Sequence, residues 1–322
     1  MHIAHLHELV SEDFEAVNAL ITERVQSPIE LIKDLSSHIV KGGGKRLRPL
    51  LTLLASKACL YDGKAHIKLA AMIELFHTAT LLHDDVVDES SLRRGQKSAN
   101  KIWGSKACVL VGDYLFAQAL QLMVEVASID VVELMIGISP QIGSGEILQF
   151  SKRKHMTLTR DEYFEVIRGK TSLLFAASAM VGTMVSPVNK ATQKSLYKYG
   201  LHLGNAFQMT DDALDYSSDA ETLGKNQGDD LISGKVTLPL LHVIEHGTRA
   251  QRSKIKTSLE EGTLEFLPDV LQAIKETKAI EYTLDLASTE MNLAIEALDC
   301  LPDSEYKSAL IGLAKYAVER EY

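Results

Sequence analysis

The sequence is short of most features that mark a secreted, cross-linked or nucleic-acid-binding protein. Its 322 residues hold three cysteines, Cys59, Cys108 and Cys300. Their wide spacing, with no CxxC and no Cys/His zinc pattern, excludes a disulfide framework and a structural zinc site. So low and odd a count fits a reducing, cytoplasmic setting. Basic charge is also in deficit, with 34 Lys and Arg against 43 Asp and Glu and a formal net charge of −9. Bulk attraction to nucleic acid is therefore a poor basis for function. The first residues include His2, Glu8, Glu12, Asp13 and Glu15 and lack the basic start and apolar core of a signal peptide. No apolar run approaches the roughly 20 residues that span a bilayer, so any membrane contact is expected to be peripheral.

Aromatics at 6% and seven prolines are sparse, while hydrophobic residues reach 46%. Stretches rich in Ala, Leu, Glu, Lys and Gln favour helix over strand. From Phe14 to Val40 the apolar residues fall mostly at three- and four-residue steps, with Pro28 dividing or kinking the stretch. Gly42-Gly43-Gly44 breaks the pattern before Pro49. Leu69–Asp88 and Asp113–Ile136 read as two further long helices. Pro140, Pro187 and Pro239 read as helix edges. There is no linker, repeat or low-complexity segment, so the expectation is one all-α domain over residues 1–322.

Two acidic clusters stand out, Asp84-Asp85-Val86-Val87-Asp88 and Asp211-Asp212-Ala213-Leu214-Asp215. On a helix the first and last aspartates of each share a face. Like charges at that spacing cost a few tenths of a kcal/mol per pair. A hard divalent cation relieves the repulsion, and oxygen-only ligands suit Mg²⁺. One copy alone is as well explained by a solvated helix face. Two copies, each within an apolar helical run, point to a pair of carboxylate sets that clamp a diphosphate through metals.

An anionic substrate also needs local cations. Lys41, Lys45, Arg46 and Arg48 surround the triple glycine, Arg93-Arg94-Gly95 follows the first acidic cluster, and Lys170, Lys225 and Lys235 lie further on. The glycine-rich run is no Walker A loop, because Arg46 stands where Ser or Thr is needed. His77 and His83 flank the first cluster, and Gln208 lies three residues before Asp211.

In this order the motifs resemble the trans-prenyl diphosphate synthases. The matching pieces are Gly43-Gly44-Lys45-Arg46-Leu47-Arg48-Pro49, Leu81-Leu82-His83-Asp84-Asp85-Val86-Val87-Asp88, Arg93-Arg94-Gly95, Gly145-Glu146, Lys170-Thr171, Phe207-Gln208-Met209-Thr210-Asp211-Asp212-Ala213-Leu214-Asp215 and Gly224-Lys225. Within that family the chain is similar to the bacterial octaprenyl diphosphate synthases. The resemblance implies an isoprenoid synthase fold, a large helical bundle around a central cavity, usually as a homodimer. It implies three Mg²⁺ ions, with Asp84 and Asp88 holding two and Asp211 the third. Arg93 would bind the allylic diphosphate, and Lys45, Arg48, His77 and Arg94 isopentenyl diphosphate. Lys170, Thr171 and Gln208 would line the allylic side. Val236 departs from the family, where proline often follows the Gly-Lys pair, and a changed loop is expected there. The implied product is a long all-trans polyprenyl diphosphate for a respiratory quinone.

The chemistry follows from the charges. Metals and cations neutralise the departing diphosphate, its carbon–oxygen bond ionises, and the double bond of isopentenyl diphosphate attacks the allylic cation. The released diphosphate is the expected base, as no positioned side-chain base stands out. Ala79 and Thr80 lie about one turn, some 6–7.5 Å, below Asp84. Their small size leaves room for a growing tail, and Met123 and Met135 are the candidate floor. A terpene cyclase also carries one DDxxD, but it needs no second all-aspartate copy and no Lys45/Arg48 site. A non-catalytic partner subunit would have lost some of the six aspartates.

Overall fold

The computed structural model describes residues 3–42, 44–93, 95–217 and 227–320. Helices account for 79% of the chain, as the composition predicts. In chain order they are α1 (Ile3–Glu8), α2 (Ser11–Arg24), α3 (Glu30–Lys41), α4 (Leu47–Ala58), α5 (Ala65–Val87), α6 (Ala99–Trp103), α7 (Ser105–Glu125), α8 (Ile129–Lys152), α9 (Arg160–Ile167), a π-helical turn (Arg168–Ser172), α10 (Leu173–Met184), α11 (Lys190–Ser217), α12 (Asp229–Ile232), α13 (Leu238–His246), α14 (Arg249–Glu261), α15 (Leu267–Glu276), α16 (Ala279–Glu296) and α17 (Glu305–Glu319). One antiparallel hairpin, β1 (Leu92–Arg93) and β2 (Gln96–Lys97), pairs Arg93 with Gln96.

The chain groups into two compact units. The first comprises residues 1–136, 174–200 and 297–313. Its axis is α5, which packs on α2, α4 and α7. Leu69, Ala70, Met72, Ile73, Leu75, Phe76, Ala79 and Leu82 are all buried along α5. At about 25 cal/mol per Å² such a helix is held by burial far more than by propensity. Buried hydroxyls tie α4 to α10, Thr52 Oγ1 donating to the Ser178 carbonyl at 2.9 Å and Ser56 Oγ to that of Gly182 at 3.0 Å. The second unit comprises residues 137–173, 201–296 and 314–322. Tyr163, Met209, Leu231, Val236, Leu240, Ile255 and Ile274 belong to its core. A capping box of Thr159 and Glu162 starts α9, whose residues Tyr163 and Ile167 enter that core.

Three expectations change. Pro28 does divide the N-terminal stretch, but Asp113–Ile136 is two helices rather than one. The chain breaks at Ala127, whose φ of +55° lies in the left-handed region and ends α7. The apolar periodicity runs on across the break because both helices bury a face, and so it hides the turn. Pro140 is not an edge but lies inside α8. The missing N–H costs about 3 kcal/mol in an isolated helix, and burial of Ile138 and Ile142 on either side offsets it. Finally, α7 is long and apolar enough, by length and composition, to cross a membrane, despite Lys106 and Asp113. Its Cys108, Val111, Leu115, Ala119 and Leu122 are buried, while Leu110 and Val124 are exposed.

Candidate active site

In the first unit the site forms at the C-terminal end of α5. Asp84 and Asp85 lie in its last turn and Asp88 caps it, with the Asp88 N–H donating to the Asp84 carbonyl at 2.8 Å. At the negative end of a 23-residue helix the macrodipole adds to the mutual repulsion of these carboxylates, which a cation would relieve. The three are not equivalent. Asp84 and Asp88 are half-buried, whereas the Asp85 side chain is 1% exposed and accepts three hydrogen bonds from Arg93. Asp85 thus anchors an arginine, although its spacing alone placed it among the metal ligands.

Arg48 and His77, both predicted to hold isopentenyl diphosphate, are brought together. Arg48 Nη1 donates to His77 Nε2 at 3.1 Å, and the guanidinium lies 4.4 Å over the Phe175 ring. Lys45 is exposed two residues before α4. Between them Arg46 takes a left-handed φ of +43° and turns inward onto Asn18 and the Val40 carbonyl. Its charge therefore holds the turn that presents Lys45 and Arg48. Ala79 is buried, and Thr80 Oγ1 donates to the His77 carbonyl at 2.8 Å, which leaves its methyl as apolar surface. Met123 on α7 and Met135 on α8 are buried. His83 lies 3.4 Å from Asp113. Arg94 and Lys225 fall outside the described residues.

In the second unit Lys170 and Thr171 sit within the π-helical turn. Such turns insert one extra residue and re-aim side chains, often at functional sites. The turn fits because its neighbours are small. A Cβ on Gly145 would lie 2.9 Å from the Gly169 Cα, and one on Gly204 would lie 2.5 Å from the Ser172 Cα. Lys170 Nζ donates to Glu146 Oε2 at 2.9 Å and Gln149 Oε1 at 3.2 Å. Thr171 Oγ1 donates to Gln208 Oε1 at 2.7 Å, and Gln208 Nε2 donates to Asp212 Oδ1 at 2.9 Å. Of the three residues predicted to line the allylic side, Thr171 and Gln208 thus join the second aspartate set, while Lys170 pairs with Glu146 and Gln149 on α8.

That set lies in the last turns of α11, again at a negative helix end. Asp212 is buried, and its other oxygen accepts from Tyr163 Oη at 2.7 Å. Burial, with Asp230 nearby, pushes the Asp212 carboxyl up to about 7. Asp215 is also buried and accepts the Asp230 N–H at 3.3 Å. Asp211 is half-exposed and pairs with Arg320. Lys235 lines a cavity of about 70 Å³ together with Lys170, Tyr163, Gln208 and Asp212. Val236, where the family often has proline, is buried in the core. Tyr163 and Arg320 were missed by sequence reasoning. Arg320 lies 109 residues from Asp211, and no local pattern links them.

Among the described residues no three His, Cys, Asp or Glu side chains converge as a self-sufficient metal site. Magnesium does not ask for one, because it takes one or two carboxylates and completes its octahedron with water and phosphate oxygens. The Asp84/Asp88 pair and Asp211 are donors of that kind.

The profile of the family described as Polyprenyl synthetase matches residues 29–276. Octaprenyl diphosphate synthase of Escherichia coli is 45% identical over 322 residues, the whole of both chains. The geranyl-diphosphate-specific all-trans-nonaprenyl-diphosphate synthase of Rhodobacter capsulatus is 41% identical, over 97% of this chain and 96% of its own. The crystal structure of a Caulobacter crescentus polyprenyl synthase, complexed with calcium and isoprenyl diphosphate, superposes with a TM-score of 0.96. It is 42% identical and covers 100% of this chain and 98% of its own. With its all-α isoprenoid synthase fold, this chain belongs to the polyprenyl synthetase family and is a prenyltransferase, a trans-polyprenyl diphosphate synthase.

Proposed function

We propose that the enzyme is an octaprenyl diphosphate synthase, adding isopentenyl diphosphate units in sequence to an allylic diphosphate such as farnesyl diphosphate. The observation that carries this reading is the 45% identity, without gaps in coverage, to the octaprenyl enzyme of E. coli. The small, buried Ala79 one turn below Asp84 supports a long product. The 41% identity to a nonaprenyl enzyme supports the second reading, a product one unit longer.

In this mechanism Arg93 holds the allylic diphosphate, and Lys45, Arg48, His77 and Arg94 hold isopentenyl diphosphate, with Lys225 and Lys235 as further diphosphate cations. Asp84, Asp88 and Asp211 would hold magnesium, which when bound would supply charge neutralisation for a departing diphosphate. Lys170, Thr171 and Gln208 present carbonyl, hydroxyl and amide dipoles to the allylic cation. The homoallylic double bond attacks that cation, and the released diphosphate takes the proton.

The enzyme acts as a homodimer through the exposed apolar stripe of α7, where Val109, Leu110, Leu120 and Val124 recur at helical spacing. Its three free cysteines, two of them buried, suit the cytoplasm. So hydrophobic a product calls for peripheral membrane contact at release, and it supplies the side chain of a respiratory quinone.

The test is incubation with farnesyl or geranyl diphosphate, labelled isopentenyl diphosphate and Mg²⁺, with chain lengths resolved after dephosphorylation. An octaprenol peak is the expected result. A dominant nonaprenol peak favours the second reading, and no elongation rejects both.

A further inference from the structure

Arg320 follows α17 directly, and its side chain is 3% exposed. The guanidinium lies 3.7 Å over the Phe207 ring, and Nη2 donates to the Phe207 carbonyl at 2.8 Å and to Asp211 Oδ1. Nε donates to the Ala317 carbonyl at 3.3 Å, which locks the fork to its own helix. Phe207 and Asp211 are four residues apart on α11, so one guanidinium spans a full turn of the helix that carries the second aspartate set. A simple anchor for α17 would need the ring and the carbonyls alone. This one also grips a carboxylate that is 32% exposed.

We infer that Arg320 is a positioning residue for the second aspartate set. It engages Oδ1 and so fixes the rotamer in which Asp211 is presented to a divalent cation. The guanidinium also offsets repulsion among Asp211, Asp212 and Asp215 at the negative end of α11. The C-terminal end of the described chain is thereby part of the diphosphate-activating machinery. This inference rests on the reading of Asp211 as a metal ligand given above.

The experiment measures Mg²⁺-dependent binding of inorganic diphosphate by calorimetry, and the thermal stabilisation that Mg²⁺ and diphosphate produce together, in the full-length protein without turnover. Arg320→Gln is expected to weaken that binding about tenfold or more, as loss of a group that orients a metal ligand does. It should also lose most of the thermal shift. In an Asp211→Asn background the same substitution should add less than about twofold, because the two act as a unit. If Arg320→Gln does not fold, Arg320→Lys keeps the charge but loses the fork and the ring contact, and an intermediate loss is expected. Unaltered binding in a folded Arg320 variant, or an equal loss with and without Asp211, would overturn the inference while leaving the enzyme assignment standing. A wild-type protein that binds no diphosphate with Mg²⁺ would remove the metal reading and this inference with it.

Discussion

Arg93 closes on Asp85 from eight residues down the chain, its Nε 2.9 Å from both carboxylate oxygens and its Nη2 2.6 Å from Oδ1. The two side chains differ sharply in environment, at 29% exposed for Arg93 and 1% for Asp85. A cation predicted to grip substrate is thus held by one of the aspartates predicted to grip metal.

That asymmetry sets the first prediction. Arg93→Ala leaves a buried carboxylate uncompensated and should cost about 3–5 kcal/mol. Asp85→Ala leaves an arginine that can turn to water and should cost less, about 1–3 kcal/mol. Both should raise KM for the allylic diphosphate. Urea denaturation of the two variants decides it, and equal or reversed costs would show that the pair does not carry this stability.

Tyr163 bears on the second aspartate set. Tyr163→Phe removes one of the hydrogen bonds to the buried Asp212, at a cost of about 1–3 kcal/mol. It should lower kcat roughly 10- to 100-fold, as loss of a group that orients a site carboxylate does, and leave KM for isopentenyl diphosphate near the wild-type value. A Tyr163→Phe enzyme with full kcat would detach Tyr163 from the chemistry.

Product length should respond to the floor and wall below Asp84. Ala79→Phe places a ring one turn down α5 and is expected to shift products to short chains while the first condensation survives. If no space lies beside Ala79, overpacking costs about 1–3 kcal/mol and the product distribution does not move. Met123→Ala with Met135→Ala is expected to lengthen the product. An unchanged chain-length profile would reject the two methionines as the floor.

The acid limb of stability should depend on Asp13. Burial pushes its carboxyl up, but Lys57 and His66, at 2.8 and 2.9 Å, hold it below the ordinary carboxylate value. A lowered carboxyl contributes stability that is present above the unfolded pKa and lost as pH falls through the folded one. Wild-type protein should therefore lose stability below about pH 4, and Asp13→Asn should be less stable at pH 7 with a flatter acid limb. Parallel limbs in the two proteins, read by denaturant melts across pH, would contradict this.

Much of this protein was legible in its sequence. The helical class follows from composition and three- and four-residue periodicity. The two DDxxD runs announce themselves because i and i+4 share a face whatever surrounds the helix. Arg48 and His77 could be named together because their motifs recur as a set. Local rules failed where burial overrode them, at the Ala127 break between α7 and α8 and at Pro140 inside α8.

Tertiary structure alone decided which carboxylates stay part-exposed and which are sealed against protein. Asp84 and Asp85 are neighbours in sequence, yet one is half-buried and the other sealed beneath Arg93, because successive helical residues point 100° apart and only packing says which direction is inside. The π-helical turn under Lys170 and Thr171, the Tyr163 bond to Asp212 and the Arg320 grip on Asp211 belong to the same class. They join residues far apart along the chain, and their energy comes from desolvation and hydrogen-bond geometry, which exist once the core has formed. The sequence by itself determined that this chain carries two aspartate sets with clusters of cations near them. The fold decided which of those side chains stay part-exposed and which are sealed in contacts that hold the others in place.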